Sequence, residues 1–121
     1  MKLYHYSNKD FEIISPKYFK ANSHTPGDSE VPRSYFYCNK HDREKFFLGS
    51  VNRYTISVDG NEIYDLLYDE LGLLNRFGSI DDVLIELKKR KFIGFRFYNS
   101  ETREVVALFY AQKIIEREKL C

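Results

Sequence analysis

Alternating and clustered hydrophobic positions divide this chain into short strands and a few helices. The segments typical of strands are Lys2–Tyr6 (KLYHY), Ser34–Cys38 (SYFYC), Val51–Val58 (VNRYTISV), Lys91–Tyr98 (KFIGFRFY), Glu104–Tyr110 (EVVALFY) and Gln112–Arg117 (QKIIER). They are rich in aromatic and β-branched residues or alternate with a period of two, and polar residues separate them. The pattern therefore predicts about five or six short strands. The fourth and fifth of these segments are close enough to pair as a hairpin across the turn NSETR.

The clearest helical pattern covers Ile80–Arg90. Ser79 can cap it, acidic residues fill its first turn, basic residues fill its last turn, and its apolar residues recur on one face. A weaker pattern predicts a helix over Asn61–Leu74, with a buried side formed by Ile63, Leu66, Leu67 and Leu71. A short third helix is predicted over His41–Ser50, because Gly49 is a stop signal.

The order of these elements predicts a single α+β domain over residues 1–121. Its strands should be short and mostly antiparallel, with two or three helices packed against them. The segment Ala21–Ser34 (ANSHTPGDSEVPRS) holds two prolines, a glycine and three serines and almost nothing apolar, so we expect a loop. Loops of about 14 residues in compact domains are usually functional or disordered, and this one could form the adjustable wall of a cleft.

Composition and charge narrow the range of partners. The chain has 19 basic and 18 acidic residues and a net charge of +1, so the overall charge favours neither a nucleic acid nor a membrane. Its apolar runs are all shorter than the roughly 20 residues that cross a bilayer, and charges interrupt its N-terminal segment. Cys38 and Cys121 have no metal-ligand spacing. We therefore expect a soluble, cytoplasmic protein.

Several common chemistries have no motif in this sequence. It contains no Gly-rich phosphate loop, no paired His and Cys ligands and no nucleophile signature, and its three histidines (His5, His24 and His41) are scattered. Metal catalysis is therefore not expected. What remains is a set of singular residues at the edges of elements, which comprises His5, the run Arg33–Tyr37 and Glu104.

These residues, in this order, resemble the ADP-ribosyltransferase superfamily. The motifs are His-x-Ser on the first strand (His5 and Ser7), a loop, a Tyr-Phe strand leading into a short helix, and an acidic residue heading the run VVALFYAQKI. The similar clade carries a histidine, a tyrosine and a glutamate. It includes diphtheria-type toxins, the poly-ADP-ribose polymerases and small phage-encoded or mobile-element transferases. The resemblance runs from Leu3 to Ile114 and implies a split sheet.

The resemblance also implies a binding site for NAD, with no metal. His5 would hydrogen-bond the adenosine-side ribose, and Ser7 would hold the nicotinamide amide. The ring of Tyr35 would stack on nicotinamide. A second aromatic, Phe46 or Phe47, would cover the other face of that ring, and Arg33 could bind a phosphate of NAD.

The catalytic glutamate of the family falls on Glu104. Its carboxylate would hydrogen-bond a ribose hydroxyl and stabilise the positive charge that develops as the glycosidic bond breaks. Cleavage of nicotinamide from NAD passes through an oxocarbenium-like sugar, which a well-placed carboxylate can stabilise without a metal.

Each position also has a plainer interpretation. His5 could be a structural histidine bonded to the backbone, and Arg33 a solvated loop charge. Tyr35 and Tyr37 fall on the same side of a strand, so either could be the stacking ring or ordinary sheet packing. One of the adjacent Phe46 and Phe47 should belong to the core. Glu101 competes with Glu104, which we prefer because it directly precedes the apolar run.

Two positions depart from the family pattern. Tyr6 stands where many relatives have glycine, so its side chain must point away from the cleft or narrow it. Thr102 stands where transferases specific for arginine carry a second acidic or amide residue, so modification of arginine is disfavoured.

The function predicted from the resemblance is mono-ADP-ribosylation of a macromolecule, a protein in preference to a nucleic acid. The protein would be a toxin of a bacterial conflict system or an anti-defence, anti-CRISPR-like effector of a phage or mobile element, acting in the cytoplasm, including that of a host cell. Two alternatives stay open: an RNA 2'-phosphotransferase, which the low charge around Arg33 disfavours, and a catalytically inactive binding or inhibitor protein.

Overall fold

The computed structural model describes residues 1–16, 31–40, 52–98 and 104–120. These residues form an α+β structure made mostly of strands. In chain order the elements are β1 (Lys2–Ser7), β2 (Ile13–Ile14), β3 (Ser34–Tyr37), β4 (Asn52–Ser57), β5 (Ile63–Asp65), α1 (Leu73–Arg76), α2 (Ile80–Lys89), β6 (Gly94–Tyr98), β7 (Glu104–Leu108), β8 (Gln112–Lys113) and β9 (Glu116–Lys119). A short 3-10 turn, Gly60–Glu62, precedes β5.

Seven of the strands form one sheet in the order β5-β6-β7-β3-β1-β4-β9, and β2 pairs with β8 in a separate two-stranded sheet. All described pairings are antiparallel except that of β5 with β6. The contact between β1 and β3 is the narrowest in the large sheet: it has one residue pair, Tyr4 with Tyr37, whereas β1 and β4 pair along their whole length. We call this boundary the seam. It divides the sheet into two halves.

Two hydrophobic cores lie on opposite faces of the sheet, as the alternation of side chains along β7 illustrates. Ala107 belongs to the core that includes residues of α1 and α2, and its neighbours Val106 and Leu108 belong to the core that includes Leu3. We call these two sides the helix face and the Leu3 face. Because both faces of β7 are covered, this strand reads as a continuous apolar run.

The strongest helix prediction is confirmed. Helix α2 spans Ile80–Lys89, and the Ser79 hydroxyl accepts a hydrogen bond from the Asp82 amide at 3.2 Å. Val83, Leu84 and Leu87 form its buried side. The predicted hairpin is confirmed too, since β6 pairs with β7 from Gly94 opposite Leu108 to Tyr98 opposite Glu104.

The helix predicted over Asn61–Leu74 is wrong. It begins in the 3-10 turn and continues as the edge strand β5, and only Leu73–Arg76 is α-helical. Aspartate side chains compete with the helix: Asp65 accepts from the amides of Leu67 and Tyr68, and Asp69 adopts a φ of 50°. Leu67, expected to be buried, is 66% exposed.

The C-terminal prediction needs a smaller correction. The single strand expected over Gln112–Arg117 is two strands, β8 and β9, which belong to different sheets. Strand β2 was not predicted, because two residues carry no periodicity. The helix predicted over His41–Ser50 and most of the loop Ala21–Ser34 lie outside the described residues. No helix in the described part of the chain has the length and apolar character needed to span a membrane.

Candidate functional site

His5 lies beside the seam and connects its two sides. Its Nδ1–H donates a hydrogen bond to the main-chain carbonyl of Tyr35 at 2.9 Å. Because a carbonyl can only accept, this bond fixes the proton on Nδ1 and leaves Nε2 as the acceptor nitrogen of the neutral ring. The imidazole packs against Phe11 and Phe36 with ring centroids 6.0 Å and 5.7 Å away.

The protonation of His5 follows from this environment. Burial lowers the pKa of the imidazole below the ordinary value of 6.5, and the hydrogen bond to the Tyr35 carbonyl opposes that shift only in part. A buried imidazole is easier to keep neutral than charged. His5 is therefore neutral at physiological pH, in the tautomer that the bond to Tyr35 selects.

Ser7 shares a face of β1 with His5, two residues further along the strand. Its hydroxyl accepts a hydrogen bond from the Lys9 amide at 3.1 Å and so closes the turn that follows β1. The residue paired with Ser7 in the neighbouring strand β4 is Asn52, which is 3% exposed. The Ser34 hydroxyl, across the seam, is buried and has no hydrogen-bond partner among the described residues. Polar side chains thus border the seam beyond His5.

Arg33 and Tyr35 form a unit on the other side of the sheet. The Arg33 Nε–H donates to the Tyr35 hydroxyl at 2.7 Å, and Nη1 donates to the Val31 carbonyl at 2.8 Å. Arg33 is only 5% exposed, so it is not a solvated loop charge. The Tyr35 ring also contacts Phe97 edge-on at 6.1 Å, among side chains that pack on the helix-face core. The structure therefore does not bring the Tyr35 ring together with His5.

Tyr37 and Tyr6 lie on this same side. Tyr37 follows Tyr35 by two positions, as alternation predicted, and its ring meets that of Tyr6 at 6.1 Å. The Tyr6 side chain therefore points away from the face that carries His5, so it does not narrow a cleft on that face.

Glu104 begins β7 and forms an ion pair with Arg96 of β6. The side chains are 15% and 39% exposed, respectively. The main-chain carbonyl of Glu104 accepts from the Cys38 amide at 3.2 Å, which fixes the start of β7 against the end of β3. The Arg96 charge also reaches the Cys38 thiol, whose pKa is raised by burial and partly lowered again by the guanidinium.

His5 and Glu104 share the Leu3 face. His5 contacts Phe36 of that core, and Glu104 stands two residues before Val106 of the same core, so alternation directs both side chains to one side. Strand β3 lies between their strands. Neighbouring strands are about 4.8 Å apart, which separates the two strands by about 10 Å. The structure thus places His5, Ser7 and Glu104 on one face and Arg33 and Tyr35 on the other. Along the strands, Glu104 is level with Leu3, whereas Ser7 lies at the opposite end of the sheet, level with Leu108.

Three predicted residues, Phe46, Phe47 and the alternative Glu101, lie outside the described residues. Arg96 and the aromatic surroundings of His5 are not among the residues predicted from the sequence. Arg96 did leave a signal: it is the single charge inside FIGFRFY, and the predicted hairpin puts this segment beside Glu104. Phe11 left none, since it follows β1 in an irregular segment. The described residues include no group of three or more His, Cys, Asp or Glu side chains that could hold a metal ion.

Comparison of the chain with protein-family models, with curated proteins and with solved structures finds no significant match.

Proposed function

We propose that this protein is an NAD-dependent mono-ADP-ribosyltransferase with the fold of that superfamily, which modifies a macromolecular acceptor, preferably a protein. One observation carries the proposal: the neutral imidazole of His5 and the carboxylate of Glu104 lie on the same face of a sheet that nearly divides between them. A split sheet, with a histidine on its first strand and a glutamate heading a later apolar strand, is what the sequence resemblance implies.

The state of His5 suits a hydrogen bond to a sugar. A neutral ring with its proton on Nδ1 presents Nε2 as an acceptor, and a ribose hydroxyl is a donor. The Tyr35 carbonyl holds the imidazole at 2.9 Å, so the ring orientation is set before a ligand binds. Preorganisation of this kind lowers the entropic cost of binding. In this proposal the main chain of Tyr35 positions His5, and the stacking role expected of the Tyr35 ring stays a prediction.

Glu104 supplies the negative charge that the reaction requires. The bond between C1' of the nicotinamide-side ribose and the pyridine nitrogen breaks, and its electron pair leaves with nicotinamide. The ribose carbon becomes cationic, and the carboxylate stabilises it electrostatically from a site that is mostly shielded from water. An acceptor nucleophile then bonds to C1' and loses its proton. Arg96 is a positioning residue here, because its ion pair with Glu104 orients the carboxylate.

A transfer assay with a charge-neutral variant tests the proposal. Purified protein is incubated with a cell lysate and NAD labelled in its adenine half, and both labelled acceptor and released nicotinamide are measured. The wild type should label a discrete acceptor, and Glu104→Gln should lower both signals at least about 100-fold, the cost of removing a key electrostatic group. Glu116→Gln is the matched control: this exposed residue of the edge strand β9 should be dispensable.

The outcomes separate the alternatives. If the wild type neither labels an acceptor nor releases nicotinamide, the transferase proposal fails. If NAD nevertheless raises the melting temperature of the protein, the site binds NAD without turnover, which would favour the inactive binding protein.

A further inference from the structure

A second candidate site lies at the far edge of the large sheet. A cavity of about 400 Å³ opens beside β5, within the size range of ligand pockets. Its apolar walls are formed by Tyr64, Tyr68, Leu71 and Phe92, and the rings of Tyr64 and Phe92 meet edge-on at 5.3 Å. Three strands of the sheet, β6, β7 and β3, lie between β5 and the strand of His5, so the cavity is distinct from the NAD site proposed above.

The charged side chains that line this cavity are acidic. Asp65 and Glu70 line it, and none of its lining residues in the described chain is basic. Neither carboxylate forms an ion pair with the described residues. The surrounding segment is acidic as well: residues 59–75 contain five carboxylates, at Asp59, Glu62, Asp65, Asp69 and Glu70, and no Lys, Arg or His, in a chain whose net charge is +1.

The walls of the cavity are held in place by a hydrogen-bond network. The Tyr64 hydroxyl donates to Asp69 and accepts from the Leu71 amide at 3.0 Å. Asp69 in turn accepts from the amides of Leu73 and Leu74 at the start of α1, at 2.9 Å and 3.0 Å. Asp65 accepts from the amides of Leu67 and Tyr68 and so holds the main chain at the rim. The pocket is therefore preformed.

Apolar surface continues beyond the cavity. Leu67, Tyr68, Leu71 and Leu74 are 66%, 78%, 37% and 48% exposed. Four large hydrophobic side chains within eight residues are thus exposed; Tyr68 and Leu71 line the cavity, and Leu67 and Leu74 are close to them in the sequence. Exposed apolar surface of this kind marks interaction sites. This segment follows β5, which has a neighbour on one side only among the described strands.

We propose that this pocket binds an arginine or lysine side chain of a protein partner. Aromatic rings and carboxylates together recognise a guanidinium or ammonium group through cation–π and charge interactions. The exposed leucines around the pocket provide the apolar contact that a polypeptide, but not a free cation, would cover. This inference does not depend on the transfer reaction.

Peptide titration monitored by NMR tests the proposal. The probes are acetyl-Gly-Leu-Arg-Leu-Gly-amide and the same peptide with citrulline, which has the shape of arginine without its charge; NAD is left out. The arginine peptide should shift the amide resonances of Asp65, Tyr68 and Leu71 and bind at least about fivefold more tightly than the citrulline peptide. Higher salt should lower the affinity for the arginine peptide more than the affinity for the citrulline peptide.

Matched variants locate the site. Glu70→Gln and Tyr68→Ala should each lower the affinity for the arginine peptide about fivefold. Glu62→Gln removes an equal charge from the same segment outside the cavity, and Tyr110→Ala removes an exposed ring elsewhere, so each should change the affinity less than twofold. Melting temperatures of the variants establish that they are folded.

Three results would overturn the proposal. The first is equal binding of the arginine and citrulline peptides, and the second is equal loss in Glu62→Gln and Glu70→Gln, which would indicate a diffuse charge effect. The third is binding of N-acetylarginine amide as tight as that of the peptide, which would identify a small-molecule site instead of a protein-docking pocket.

Discussion

The imidazole of His5 and the main-chain carbonyl of Tyr35 are joined by a 2.9 Å hydrogen bond across the seam, where β1 and β3 share only one residue pair. At the seam a side chain forms the hydrogen bond between neighbouring strands that backbone groups form elsewhere in the sheet. His5 is thereby both a structural residue and a candidate ligand of NAD, and its two ring nitrogens divide these roles.

Substitution of His5 should separate the two roles. His5→Asn keeps a donor near the position of Nδ1 but removes Nε2, so the free energy of unfolding should stay within about 1 kcal/mol of the wild type while NAD-dependent stabilisation is lost. His5→Ala removes both nitrogens and leaves a cavity, and should cost about 2 kcal/mol or more. Urea denaturation and the thermal shift with NAD measure the two effects. Full NAD-dependent stabilisation in His5→Asn would contradict the role given to Nε2.

Stability should fall when the pH drops below the ordinary histidine range. The pKa of His5 is lower in the folded protein than its ordinary value of 6.5, so the unfolded chain binds the proton first as the pH falls. The contribution of His5 is therefore complete above about pH 6.5 and is lost between that value and the lower folded pKa. Denaturation at pH 7.5 and pH 5 measures this loss of unfolding free energy. The loss should be smaller in His5→Asn than in the wild type. An NMR titration in which His5 gains its proton above pH 6.5 would refute this prediction.

The ion pair of Glu104 with Arg96 should respond to single and double substitution differently. Arg96→Met leaves a mostly buried carboxylate without its cation and should cost about 1–3 kcal/mol. The double variant Arg96→Met/Glu104→Gln contains no unpaired charge, so it should recover a large part of that loss. A double-mutant cycle in urea measures the coupling. Additive losses would mean that the pair contributes nothing to stability.

Gly94 should be irreplaceable for reasons of space. A Cβ at this position would lie 2.0 Å from the Ala107 carbonyl oxygen in the paired strand β7. Gly94→Ala should therefore cost about 2 kcal/mol or more, because the strands must separate to admit a methyl group. Gly78→Ala is the control, since a Cβ there meets nothing within 4 Å. Denaturation midpoints compare the two variants, and equal stability would contradict the close approach of β6 and β7.

Some features of the fold could be predicted from local sequence. Helix α2 carries its cap, its charge distribution and its apolar face within about a dozen residues, so no distant contact was needed to identify it. The hairpin of β6 and β7 is similarly local. By contrast, the Asn61–Leu74 segment has helical spacing, but pairing of β5 with β6 and the capping bonds of Asp65 and Asp69 determine its structure.

The candidate site likewise has features that local sequence predicts and features that it does not. The sequence by itself determined the residue types, a histidine on the first strand and a glutamate heading an apolar strand, since these belong to single elements. Only the tertiary structure decided which side chains share a face, because strand order and register depend on contacts between distant segments. It put His5 and Glu104 on one face and the ring of Tyr35 on the other. It also paired Arg96 with Glu104 and left one narrow seam at which His5 bonds to Tyr35.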